Sequence, residues 1–394
     1  MATSQGIRYE VDPQWVHIQY PEAAQFKTVY GFSGQQGVVH LEGIRYTPRG
    51  IKSDTLMLYM HPASTLQLLP MPNAMAANGV HVLCAGSRYA RNDTALIMEH
   101  VVRDMGAYIR HAREVWGYKK VVLGGWSGGG SLSLLYQAQA EKPTITHTPA
   151  GDPYDLTSAG LIPADAFILQ AAHVSRALVL QEWIDPSVID ENNPEVLDES
   201  LNIYNPDIKP PYSAEFMQRY RAAQIARVER RTAWVKDMLE QLKRKNGKEV
   251  ERGFMMHRTM ADPRFLDGSL EPNDRPIGMC YMGVPETANS GPIGVARFST
   301  LRAWLSQWSL ADTNAHGEKC AARITVPFLA LEHSADDAVP QQHTSMVYHA
   351  AASSDKQMQV VKGASHYFVG QPGLMQNTVE FMLDWLHERN FCKN

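Results

Sequence analysis

A chain of 394 residues, 44% hydrophobic and 20% charged, has the composition of a soluble globular protein and is long enough for two domains or for one core with a large insertion. Its formal net charge of −4 argues against nucleic acid or an anionic membrane as a partner, and no apolar run approaches the ~20 residues that span a bilayer. Four cysteines (Cys84, Cys280, Cys320, Cys392) are too few for a disulfide framework, no Cys–His spacing suggests a zinc site, and the N-terminus lacks the basic-then-apolar pattern of a signal peptide. A cytoplasmic protein without a metal or cofactor is the expectation.

Residues 1–36 show no clear pattern and are read as an N-terminal extension, packed on the insertion described below or serving a subunit contact; oligomeric state stays open. "GVVHLEGIRYTP" (Gly37 to Pro48) alternates in the manner of a strand, and "DTLMLYMHP" (Asp54 to Pro62) is a buried strand ended by a proline. "GVHVLCAGSRYARND" (Gly79 to Asp93) repeats that pattern. Leu96, Ile97, Val101, Met105, Tyr108 and Ile109 then recur at helical spacing.

"KKVVLGGWSGGGSLSLLYQAQA" (Lys119 to Ala140) is a strand running into five glycines around one serine, followed by a helix. "ADAFILQAAH" (Ala164 to His173), "ARITVPFLALEHSADDAVP" (Ala322 to Pro340) and "DKQMQVVKGASHYF" (Asp355 to Phe368) each hold a further strand. Val379, Met382, Leu383 and Leu386 mark a closing amphipathic helix. Strands alternating with helices predict a mostly parallel sheet covered on both faces.

The rhythm breaks between about His173 and Ile324, which predicts a helical insertion at 174–323 interrupting a core at 37–173 and 324–394. Inside it, Ser213 to Gly247 reads as one long helix that stops at Asn246-Gly247, its mixed charges forming a solvated face. Its aromatic residues (Trp183, Tyr204, Tyr212, Phe216, Phe254, Tyr281, Trp304, Trp308) suit an apolar pocket wall, although most are expected in the insertion's own core.

Gly125-Trp126-Ser127-Gly128-Gly129 fits G-x-S-x-G, in which a sharp strand-to-helix turn presents the serine at the carboxyl edge of a sheet and the flanking positions must be small. The stretch has neither the G-x-G-x-x-G of a dinucleotide site nor the lysine of a P-loop. A serine hydroxyl needs a base, and the base needs an orienting carboxylate. Later strand ends supply both: Asp336 or Asp337, then His366. His333 shares the acid's own turn, and His173 is read as structural or as part of the cleft wall.

The order Ser…Asp…His on these element ends resembles the α/β-hydrolase fold, with the insertion as its helical cap. The resemblance covers the chain from about residue 37 onward. It implies a nucleophile at Ser127, an acid at Asp336 (Asp337 being the runner-up), a base at His366, and oxyanion donors at the N–H of Gly128 and of the early "YMHPAST" loop. In that loop Pro62 replaces the family's glycine. Proline has no N–H, so Ala63 is the expected donor, with Ser64 behind it. His61, Trp126, Ser64 and Tyr367 are the expected substrate contacts.

The implied reaction is hydrolysis of a carboxylic ester, or a related acyl compound, of a medium-sized, partly apolar small molecule through an acyl-enzyme. The same triad serves an amide, lactone, thioester or β-ketone carbon–carbon bond. A non-catalytic binding protein on this fold is the second alternative.

Overall fold

A computed structural model describes residues 8–22, 37–291 and 294–392. In chain order the elements are β1 (Val11–Pro21), β2 (Val38–Pro48), β3 (Thr55–His61), α1 (Pro70–Ala77), β4 (Val82–Gly86), α2 (Met98–Glu114), β5 (Lys120–Trp126), α3 (Gly128–Glu141) and β6 (Ala166–Gln170). Then follow α4 (Arg176–Trp183), β7 (Val188–Asp190), β8 (Asn193–Leu197), α5 (Ala214–Lys245), β9 (Gly253–Met255), α6 (Pro285–Ser290), β10 (Phe298–Thr300) and α7 (Leu301–Gln307). The chain ends with α8 (Gly317–Ala321), β11 (Phe328–His333), α9 (Gln341–Ala350), β12 (Lys356–Val361) and α10 (Pro372–Glu388).

One eight-stranded sheet runs β1-β2-β4-β3-β5-β6-β11-β12. The first two strands pair antiparallel with their neighbours and the rest are parallel. Alternation along each central strand feeds two cores. Leu56, Leu58 and Met60 of β3, Val121 and Leu123 of β5, and Phe167 and Leu169 of β6 pack under α2 and α3. Met57 and Tyr59, Val122 and Trp126, and Ala166 and Ile168 face the opposite core, with α1 and α10. This two-faced burial produces near-continuous apolar runs in sequence.

Two boundaries differ from the sequence reading. The described part of the 1–36 segment is not an appendage: β1 pairs with β2 from Val11↔Pro48 to Pro21↔Val38 and buries Val16 and Ile18 in the main core. The rest of that segment lies outside the described residues. Nor does the insertion run to 323, because Ala315, Cys320 and Ala321 already belong to the core beneath α3.

Among the described residues the remaining insertion carries two-stranded sheets alone, β7 with β8 and β9 with β10, around the expected long helix. In α5 the Ser213 hydroxyl accepts the Phe216 N–H, and Asn246 ends the helix in the left-handed conformation at φ 45°. Its charged residues are not all solvated. Arg227 is fully buried, donating to both carboxylate oxygens of Glu191 and to the carbonyls of Asp185 and His257. Most insertion aromatics are core: Trp304 and Trp308 stack at 4.9 Å, with Phe254 against Trp304. Tyr204, Tyr212 and Phe216 form a smaller cluster with Tyr220.

Candidate active site

Ser127 sits at the junction of β5 and α3 with φ 52° and ψ −128°, a backbone region that L-residues avoid. Three neighbouring glycines make the turn possible. A Cβ on Gly129 would lie 2.3 Å from the Met60 carbonyl oxygen, one on Gly130 2.4 Å from Ala172 Cβ, and one on Gly125 3.0 Å from Gly130 Cα. The turn is held by the Ser127 N–H donating to Ala171 O (3.1 Å) and the Gly130 N–H donating to Ser127 O (3.0 Å). The Gly128 N–H opens α3, where the first helical donors have no intrahelical acceptor.

Asp336 and His366 follow β11 and β12. His366 Nδ1 lies 3.0 Å from Asp336 Oδ2, and both side chains are buried. The second carboxylate oxygen, Oδ1, accepts the N–H groups of Ala338 and Val339, both at 2.8 Å. Burial alone would raise the Asp336 carboxyl, but the His366 charge and hydrogen bond, His333 and the Val339 N–H outweigh it and hold the pKa below the ordinary value.

Asp337 is in the opposite position. Burial and the adjacent Asp336 raise its pKa, and its Oδ1 has no hydrogen-bond partner among the described residues. The geometry therefore brings Asp336, and not Asp337, to the imidazole. The insertion braces this turn: the Arg275 Nε donates to Asp336 O, the Tyr281 N–H to Asp337 O and the Asp274 N–H to Ser334 O.

His333 holds a different position from His366. His333 Nδ1 lies 3.0 Å from Ser365 O and Nε2 3.2 Å from Gln170 Nε2, so this ring ties the β11 end to the His366 loop. Trp126 supports His366 directly, its ring 4.5 Å away, and packs on Tyr367 at 5.3 Å.

A cavity of about 360 Å³ opens over Ser127. Its walls include His61, Ala63, Ser64, Trp126, His366 and Tyr367, together with Trp183, Val179, Tyr281, Met282 and Val295 from the insertion. It is less apolar than the sequence suggested. Arg91, Asp93, His173 and Arg176 also line it, and the buried Arg176 pairs with Asp93 while its Nε donates to Gln307 Oε1 at 2.8 Å. Neither Arg91, Asp93 nor Arg176 stands in a recognisable motif; only their position just after β4 and β6, at the carboxyl edge of the sheet, could have flagged them. Burial, then His343, Arg176, His61 and His366, hold the His173 pKa well down and keep that ring neutral.

The Ala63 N–H, expected to face a substrate, donates instead to His61 Nδ1 at 3.1 Å, and the Ser64 N–H donates to the same atom at 2.9 Å. These two donors of the loop are thereby occupied within it. Among the described residues no group of three or more His, Cys, Asp or Glu side chains could hold a metal ion.

No family model matches the sequence, and no curated protein matches it. Solved structures do. An α/β hydrolase, GrgF, from Penicillium sp. sh18 is similar over 95% of this chain and 98% of its own, at 10% identity and a TM-score of 0.53. DcsB, solved in complex with its substrate analogue, is 14% identical over 96% of this chain and 99% of its own, with a TM-score of 0.49. A monoacylglycerol lipase of Paleococcus ferrophilus is 14% identical over 88% of this chain and 98% of its own, with a TM-score of 0.45. The Penicillium likeness extends over nearly the whole chain. The chain has the α/β-hydrolase fold.

Proposed function

We propose that the protein is a serine hydrolase that cleaves a carboxylic ester, or a related acyl bond, of a medium-sized small molecule. The observation that carries this reading is the Asp336–His366 hydrogen bond at the rim of the cavity that Ser127 enters from a strained turn. Because Nδ1 of His366 is committed to Asp336, Nε2 is the nitrogen left to take the Ser127 proton as Oγ adds to the substrate carbonyl. Asp336 fixes that tautomer and stabilises the imidazolium. The Gly128 N–H, at the positive end of α3, stabilises the oxyanion. His366 then protonates the leaving group, and water repeats the cycle on the acyl-enzyme.

The cavity has the volume of a small-molecule site. Trp126, Tyr367, Trp183, Val179 and Val295 offer apolar contact, His61 and Ser64 lie on the loop side, and the Arg176–Asp93 pair gives one wall a polar patch. A partly apolar acyl compound with one polar end fits this surface. The four unpaired cysteines fit a reducing, cytoplasmic setting; among the described residues no helix is long and apolar enough to cross a membrane.

A fluorophosphonate probe and a panel of chromogenic esters, amides and β-diketones test the reading. Labelling of Ser127 and ester turnover that disappear together in Ser127→Ala are expected. Turnover undiminished in Ser127→Ala would reject the nucleophile, and β-diketone cleavage without ester cleavage would reassign the bond.

A further inference from the structure

The loop after β3 is fixed at several points. Pro62 O accepts the buried Ser87 hydroxyl, Ala63 O accepts the Arg91 N–H at 2.7 Å, and the N–H groups of Ala63 and Ser64 both converge on His61 Nδ1. An imidazole nitrogen that accepts two hydrogen bonds carries no proton. A neutral ring has one N–H, so it must be on Nε2. Burial, then Arg176 and His366, hold the His61 pKa down to about 3, which favours the neutral ring that the two accepted hydrogen bonds require.

Nε2 lies against Gly128: a Cβ built there would come within 2.5 Å of it. Gly128 follows the nucleophile, and His61 and Ser127 line the same cavity. Pro62 has no N–H and those of Ala63 and Ser64 are taken by Nδ1, while the His61 side chain sets its Nε2 against Gly128, the residue after the nucleophile.

We propose that the His61 Nε2–H is the second oxyanion donor, a side-chain group standing in for the backbone N–H that Pro62 lacks and Ala63 has spent on Nδ1. This rests on the serine-hydrolase reading above. In the step concerned, Ser127 Oγ bonds to the carbonyl carbon, the C=O π pair moves onto oxygen, and the Ser127 proton goes to His366. His61 keeps its proton throughout and contributes a preorganised dipole that needs no rearrangement as the charge develops. Neutrality of the ring is what allows this, because the N–H of a neutral imidazole is too weak an acid to give its proton to the oxyanion.

The test uses the full chain and two independent measurements. First, with p-nitrophenyl butyrate, His61→Ala is expected to lose about 10²–10³-fold in kcat, the usual effect of removing one oxyanion donor, with KM changed only a few-fold. Second, nitrogen NMR of the histidine-labelled wild-type protein is expected to find His61 protonated on Nε2 and not on Nδ1. That N–H proton should move downfield when butylboronic acid forms a tetrahedral adduct on Ser127. A folded His61→Ala protein with undiminished kcat, a proton on Nδ1, or an Nε2–H indifferent to the adduct would each overturn the assignment while leaving Ser127 as nucleophile. A chain in which neither fluorophosphonate nor boronate reacts at Ser127 would remove the hydrolase reading, and the oxyanion role with it. The NMR measurement does not depend on the variant folding.

Discussion

Replacing Asp336 by asparagine changes one atom and separates the two adjacent acids. Asp336 Oδ1 accepts two backbone N–H groups, from Ala338 and Val339 at 2.8 Å, so the asparagine side chain of Asp336→Asn must leave its carbonyl oxygen there. Its NH₂ then faces His366 Nδ1, which sits 3.0 Å from the present Oδ2. An NH₂ only donates, so Nδ1 has to accept and the imidazole proton moves to Nε2, the nitrogen that must be empty to receive the Ser127 proton. Such a tautomer reversal costs about 10⁴-fold in kcat. At 1.36 kcal/mol per tenfold this is about 5 kcal/mol of barrier, while the hydrogen-bond count and the fold are conserved.

Asp337→Asn is the matched control. The Asp337 carboxyl is held above its ordinary pKa by burial and by Asp336, and its Oδ1 has no partner among the described residues, so the amide removes an unfavourable charge and leaves kcat within a few-fold. The assay is kcat on p-nitrophenyl butyrate together with the rate of fluorophosphonate labelling at Ser127. Asp336→Asn retaining more than a tenth of wild-type kcat, or Asp337→Asn losing as much as its neighbour, would refute the reasoning.

Two further outcomes concern stability. Asp104 is fully buried and accepts the Arg88 Nη2 at 2.8 Å, the Arg88 backbone N–H at 3.0 Å and the Tyr20 hydroxyl at 2.7 Å. Asp104→Ala strands a buried guanidinium, and urea denaturation should show a loss of about 3–5 kcal/mol; a loss below about 1 kcal/mol would mean that Glu22 alone satisfies Arg88. Glu99 is buried with Oε2 unpartnered among the described residues, and burial pushes its pKa up to about 7 against the Asn314 hydrogen bond that lowers it. The folded state therefore keeps a proton that the unfolded chain has already released, so stability falls as pH rises from the ordinary carboxylate pKa of 4.5 through about 7. Glu99→Gln should raise Tm at pH 8 and leave it unchanged at pH 4; an equal shift at both would place the cause elsewhere.

Legibility followed burial. Strands β3, β5, β6 and β11 are covered on both faces, so their interior residues are nearly all apolar or small and each run stands out of the sequence. β1 is an edge strand that buries only Val16 and Ile18 and exposes Gln14, Trp15, His17 and Gln19. With Pro13 inside it, the segment offers no contiguous apolar run, and its strand character comes from pairing with β2 across a segment absent from any local window. The start of the core at Ala315 was hidden for a related reason: α8 is a single short turn whose burial is set by α3, far away in the sequence. Arg227 shows the limit on charge. Helical spacing placed it correctly in α5, but that it is buried depends on Glu191 and on carbonyls from two other segments, none of which the helix pattern contains.

The site divides in the same way. The candidates Ser127, Asp336 and His366 could be placed from sequence because they stand just after legible strands, which mark the element ends that the proposed chemistry needs. What the sequence left hidden are relations decided by a side-chain rotamer. Pro62 signalled that the loop lacked one N–H, and the natural compensation was the next N–H along, that of Ala63. Yet the N–H groups two and three residues after His61 fold back onto its ring. Once Nδ1 is an acceptor, the proton is forced to the other nitrogen, the one beside Gly128. The bond that takes the Ala63 N–H out of the cavity is the same bond that fixes the His61 tautomer on which the proposed oxyanion role rests.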